Sequence, residues 1–287
     1  MKSIFSYFKR KLKKNRPAYF IDSNESLKIL DEELSKSELF GIDTEFDWRT
    51  TYFPKLSLIQ ISSEKSLFLI DCLEINPKKI LKKYLEDTKI LKIFHSVRSD
   101  TTVLSKCIQC KTRNVFDIQL ADKFLTNGEI KSYGKIVKSY YGIKLKKTET
   151  NSNWLKRPLS EDQISYAYDD VDYLIDIYFS QKKKLLKKNL YNEILIKSLN
   201  EANLGNESLK KLRIEKKKKK FSNRFIKIFS WREDIAESKN VPPTYIFNDK
   251  KIRHLSNIKS DDIFLRKKIM QIIGDTQLTD DFISKFL

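Results

Sequence analysis

The chain has 287 residues, 40% of them apolar, and 57 Lys and Arg against 38 Asp and Glu give a formal net charge of +19. That length supports one large domain or two ordinary ones, and the charge favours a polyanionic partner, nucleic acid or an anionic membrane surface, over an acidic protein substrate. Three cysteines, Cys72, Cys107 and Cys110, are too few for a disulfide scaffold, and no apolar run reaches membrane-spanning length, so a reducing, cytoplasmic setting is expected.

Residues 1–18 open with MKSIFSYFKRKLKKNRP, basic and free of acids. Their apolar part is too short and interrupted for a signal peptide, and a basic tail touching nucleic acid is expected. From Tyr19 to Ile70 the pattern reads strand, helix, then three strands with short links, which predicts an antiparallel meander. A helix (PKKILKKYLED), a strand (ILKIFHS) and a second helix (RSDTTVLSKCI) follow, so the sheet becomes mixed. Residues 117–200 read as mostly helical, SEDQISYAYDDVDYLIDIYFSQKKKLLKK being the longest stretch. The EKKKKK run in 204–220 reads as a basic linker or helix end. Residues 221–287 show helical spacing only, with a break at Val241-Pro242-Pro243 and a helix cap at Asn248-Asp249. The organisation expected is thus a mixed α/β domain at 19–203 and a small all-helical domain at 221–287.

The acids are the puzzle. In FGIDTEFDW (Phe40 to Trp48), Phe40, Ile42, Thr44 and Phe46 alternate onto one strand face, while Gly41, Asp43 and Glu45 share the other. Two like charges side by side in a sheet repel. Either arginines cover them, Arg49 being nearest in sequence, or a divalent cation does, since carboxylate oxygens two apart can grip one ion from the same side. Asp100 falls in the first turn of a helix, where any acid complements the helix dipole. Tyr166 and Asp170 are four apart on one helix face; Asp169 is rotated off it, Tyr173, Leu174 and Tyr178 continue as packing surface, and Asp172 is expected to face solvent. Each motif alone has an ordinary structural explanation. Four converging acids, however, would be intolerable without cations, and with two divalent ions about 3.5–4 Å apart they would suit in-line attack of water on a phosphodiester. Cys107-Ile-Gln-Cys110 lacks the further ligands a zinc site needs, and buried inert thiols are expected.

The order and spacing of these motifs resemble the DEDD exonuclease superfamily in its tyrosine-bearing branch, and the surrounding words resemble ribonuclease D. They are DTEF followed by TYFPKLSLIQI, IFHSVRSD with His95 five before the acid, VFDIQLADKFL, KTETNSNWLKRPLSEDQISYAYDDVDYL, and WREDIAESKNVPP. The sequence departs from that pattern at Asn151 and Asn153, where the family commonly has Arg and Asp, and at Trp48, near which it has a basic residue. The resemblance implies a ribonuclease H-like mixed sheet flanked by helices, followed by one HRDC-type helical module. It also implies removal of 5′-mononucleotides from RNA 3′ ends, tRNA precursors being the substrates the family suggests. Carried onto this chain, Asp43 would bridge two Mg²⁺ or Mn²⁺ ions, Glu45 and Asp170 would complete the first, Asp100 would help hold the second, and Tyr166 would orient a water. Phe46, Trp48, Tyr52 and Phe53 are candidates to stack on bases, and Lys147, Lys156 and Arg157 to meet phosphates. His95 is expected in a packing or hydrogen-bonding role, Trp231, Tyr245 and His254 in the core of the helical module with nucleic-acid binding left to its surface lysines, and the default oligomeric state is a monomer. A DNA-directed exonuclease would keep every metal ligand, while a silent nucleic-acid-binding protein would have lost one of the four acids.

Overall fold

A computed structural model describes residues 16–146, 148–258 and 264–287. The expected basic tail, apart from its last three residues, and Lys147 lie outside them. The chain divides into two compact units, one of residues up to Asp47 and from Lys55 to Asn206, the other of Trp48–Pro54 and Glu207–Leu287.

In chain order the first unit runs β1 (Ala18–Ile21), α1 (Asn24–Ser35), β2 (Leu39–Asp47), β3 (Lys55–Ser62), β4 (Leu67–Asp71), α2 (Lys78–Glu86), β5 (Leu91–Phe94), α3 (Val97–Cys107), β6 (Val115–Asp117), α4 (Ile118–Thr126), α5 (Tyr133–Tyr141), α6 (Glu161–Asp172), α7 (Leu174–Lys187) and α8 (Tyr191–Asn206). The sheet order is β1-β4-β3-β2-β5-β6. Strands β2, β3 and β4 form the meander, and β1, β5 and β6 join it in parallel. The three-residue β6 is too short to carry an alternation and was not expected from the sequence.

One face of the sheet packs Phe40, Ile42, Ile59 and Phe68 against Leu30, Leu81, Val103 and Leu104 from helices. The other packs Leu58, Leu69, Ile93 and Phe116 against Ala167, Val171, Leu174 and Tyr178. Gly41 lets α7 approach this second face, because a Cβ there would stand 2.9 Å from Leu174 Cβ. The helical stretch at 160–188 is two helices. Tyr173 ends α6 and donates its N–H to the Tyr133 hydroxyl at 3.1 Å. Asp172 does not face solvent: it is 3% exposed and ion-paired with the buried Arg16, which also donates to the Ser63 carbonyl at 2.9 Å.

The second unit contains α9 (Leu209–Lys218), α10 (Asn223–Ser238), α11 (Pro243–Ile246), α12 (Asp249–Ser256), α13 (Leu265–Ile273) and α14 (Thr276–Phe286). The basic run at 215–220 therefore continues a helix of this unit. Phe225, Phe229, Trp231, Phe247 and Phe282 fill its core, and Asn248 caps α12 by accepting from Lys251 N at 3.0 Å. Trp231 is buried as expected, but Tyr245 is 66% exposed and His254 also lies at the surface.

Candidate active site

Three elements bring the acids together. Strand β2 carries Asp43 and Glu45, the first turn of α3 carries Asp100, and the last turns of α6 carry Tyr166 and Asp170. A register shift against β3 between Glu45 and Phe46 re-aims the end of β2 just past Glu45. α6 starts with a capping box, in which Ser160 accepts from Gln163 N at 3.1 Å and Gln163 Oε1 accepts from Ser160 N at 3.0 Å.

Asp100 is 3% exposed, and its Oδ1 accepts from the Thr44 hydroxyl at 2.7 Å. Its carboxyl also shares a hydrogen bond with that of Asp43. Tyr166 hydrogen-bonds Asp170 and Thr150, and its ring lies 6.0 Å from that of Trp154.

The electrostatics are those of uncompensated negative charge. Burial, then Asp170 and Glu45, pushes the Asp43 carboxyl well above its ordinary range. Burial, then Asp170 and Asp100, lifts Glu45 to about 9. Burial and then Asp169 lift Asp170 to about 8, and burial with Asp43 raises Asp100. The charges that Asp43 and Glu45 feel most are those of other acids. Among the described residues no three His, Cys, Asp or Glu side chains stand ready as a cage for a metal ion. Buried carboxyls within hydrogen-bonding reach of each other, as those of Asp43 and Asp100 are, resist ionising together without a counter-charge. The donor set is all hard oxygen and over-supplied with negative charge, which fits a divalent cation of the magnesium kind.

The remaining candidates divide. Lys156 is exposed, Trp48 is 43% exposed, and Phe46 is half-buried against the first core. Tyr52 is not available to stack on a base. It is fully buried with Leu209 and Ala236, and the Arg213 guanidinium lies 4.6 Å from its ring centre. Its neighbour Phe53 packs beside it and donates its N–H to Asn240 at 3.1 Å. Arg157 does not face phosphates either. Its Nε and Nη2 grip the buried Asp71 carboxylate at 2.5 and 2.6 Å, and Nη1 bonds the Trp154 and Lys156 carbonyls. Such a bidentate pair fixes the chain before α6 to the end of β4. His95 places Nε2 3.1 Å from the Lys131 carbonyl, and its ring packs edge-on to Tyr133. Asp117 accepts N–H groups from the starts of both α3 and α4. It stands directly before an apolar helix, where an acid is a cap signal.

Fold and acids together define a class. Residues 19–186 match the 3′-5′ exonuclease family model, more than half of the chain, and the chain belongs to that family. Residues 221–263 match the HRDC domain model. Among individual proteins, the chain is similar to ribonuclease D of Desulfotalea psychrophila, with 32% identity over 248 residues that cover 83% of this chain and 66% of that protein. The chain spans 60 to 66% of the length of the first curated relatives it matches. The crystal structure of Escherichia coli RNase D, described as an exoribonuclease involved in structured RNA processing, superposes with a TM-score of 0.75 at 23% identity, covering 91% of this chain and 75% of that one. Trypanosoma brucei RNase D in complex with RNA U12 gives a TM-score of 0.51 at 22% identity over 58% and 62% of the two chains. At such identities the structural likeness is one of fold.

Proposed function

We propose that the protein is a divalent-cation-dependent 3′-5′ exoribonuclease that releases 5′-mononucleotides from RNA 3′ ends, with tRNA precursors as its substrates. The observation that carries this reading is the meeting of Asp43, Glu45, Asp100 and Asp170, drawn from a strand and two helices, with Tyr166 bonded to one of them. In this reading Asp43, Glu45, Asp170 and Asp100 would hold two Mg²⁺ or Mn²⁺ ions. When bound, the ions would make water more acidic and offset negative charge at the leaving 3′ oxygen.

The protein's own groups do the rest. Thr44 fixes the rotamer of Asp100 through its hydroxyl. Tyr166 hydrogen-bonds Asp170, and its role in this reading is to orient water and the Asp170 carboxylate by hydrogen bonding. Exposed Lys156 offers a phosphate contact to the strand.

Digestion of 5′-labelled single-stranded RNA and matched DNA with Mg²⁺, with Mn²⁺ and with chelator tests the reading. A ladder that shortens from the 3′ end, absent in chelator and absent for Asp43→Asn, is expected. Equal cutting of DNA would replace RNA as the substrate class, and activity that survives chelation would end the cation mechanism.

A further inference from the structure

Helix α3 has no cap of its own. Its N-cap residue Ser96 is held in the left-handed region (φ 64°, ψ 56°) and makes no side-chain capping bond. The start of the helix is instead held from outside by Asp117, at the end of β6. Asp117 Oδ2 accepts from Val97 N at 3.0 Å, and Oδ1 accepts from Ser96 N at 3.1 Å. The same Oδ1 accepts from Gln119 N at 2.8 Å and Leu120 N at 3.4 Å, so one carboxylate caps both α3 and α4. Asp117 is fixed in turn by α8, where Ser198 Oγ accepts its N–H at 2.9 Å.

Helix α8 also presses on the next turn of α3. A Cβ on Gly205 would lie 2.6 Å from the Arg98 carbonyl oxygen and 3.0 Å from Thr101 Cβ, and it would collide with Thr101 Oγ1. Arg98 Nε donates to Glu201 on α8 at 2.6 Å. The residues so held, 96–98 and 101, enclose Asp100, whose carboxyl meets Thr44 and Asp43.

We infer that Asp117 and the Ser198–Gly205 face of α8 form a clamp that sets the aim of Asp100 into the acid cluster, which makes Asp117 and Gly205 positioning residues for the cation site. This rests on the reading of Asp100 as a cation ligand. An ordinary cap stabilises its helix and stops there. The clamp has a further consequence: loosening it must act through Asp100.

Asp117→Asn keeps the volume but turns one acceptor into a donor, facing Val97 or Ser96 N–H whichever way the amide lies. Gly205→Ala pushes on Arg98 and Thr101 without touching any acid. Each full-length variant is titrated with Mn²⁺ alone, free Mn²⁺ being read by electron paramagnetic resonance, in the wild-type and Asp100→Asn backgrounds; far-ultraviolet dichroism reports folding. Asp117→Asn is expected to weaken Mn²⁺ binding about tenfold, as outer-shell changes do, and to add nothing once Asp100 is already Asn. Gly205→Ala must give the same pattern, and it decides the matter if Asp117→Asn does not fold. A folded variant that binds Mn²⁺ like wild type, or an equal loss in both backgrounds, overturns the clamp. Wild-type protein that binds Mn²⁺ and cuts no RNA would sink the nuclease reading and leave the clamp standing; wild-type protein that binds no Mn²⁺ would remove both.

Discussion

Two regions of this molecule concentrate buried charge, and they handle it in opposite ways. In the helical unit, Glu233 is fully buried and receives Arg232 at 3.0 Å and Arg213 at 2.9 Å, while Asp249 receives Arg232 at 2.8 Å and Lys217 at 2.6 Å. Burial pushes the Asp249 carboxyl up, but the hydrogen bonds from Lys217 and Arg232 outweigh it and hold the group below its ordinary value. In the sheet unit, among the described residues, the charges that most shift Asp43, Glu45, Asp100 and Asp170 are those of other acids. A network that closes on itself serves the fold. A cluster left with surplus negative charge costs the fold stability and is kept for what it binds.

Asp43→Asn should sharpen that contrast most. Loss of transition-state stabilisation of about 4 kcal/mol, roughly 10³-fold in turnover, is expected from RNA digestion assays. The same variant should melt higher than wild type in chelator at pH 8, because an amide stays neutral there without having to hold a proton against the neighbouring acids. A lower melting temperature would mean that Asp43 serves the fold. Glu233→Gln is the opposite case. It takes the buried anionic partner from Arg232 and Arg213, leaving Arg232 only Asp249, and should cost about 3 kcal/mol of stability in the helical unit, read by denaturant melts, with no change in Mn²⁺ binding. A neutral result would show that the network carries no stability.

Tyr166→Phe comes next, with turnover down by about 2 kcal/mol, roughly 30-fold, and RNA affinity held within about twofold. Unchanged turnover would remove the phenol from the chemistry. The smallest effect expected is one of pH. Asp170 titrates at about 8 in the folded chain, far above the ordinary carboxyl value near 4. Between those values the folded state keeps a proton that the unfolded state has released, so this contribution to stability is present at low pH and lost as pH rises towards 8. In chelator, the melting temperature of Asp170→Asn minus that of wild type should therefore grow from pH 5 to pH 8. Added Mg²⁺ should shrink the difference at pH 8, and a difference that is flat with pH would show that Asp170 is ionised throughout.

What the sequence made legible follows physical range. The meander and the helices announce themselves by local periodicity, and the acids by motifs a few residues long, because a strand face or a helix turn fixes their geometry locally. Ion pairs across the chain leave no such mark. Arg16 and Asp172 are 156 residues apart, and Arg157 and Asp71 are 86 apart. That is why Asp172 reads as solvent-facing and Arg157 as a phosphate contact until the fold is known. Tyr52 is the aromatic counterpart: a tyrosine in a loop looks the same in sequence whether its ring meets a base or, as here, Leu209 and Ala236. Trp48 and Lys156 are exposed.

Mn²⁺ soaked into crystals of the wild-type protein, located by anomalous scattering near the manganese edge, tests the central claim most directly. The account predicts Mn²⁺ bound by Asp43, Glu45, Asp100 and Asp170, with the hydrogen-bonded contact between Asp43 and Asp100 replaced by bonds to metal. Saturating Mn²⁺ that settles elsewhere while those two carboxyls stay bonded to each other would contradict it.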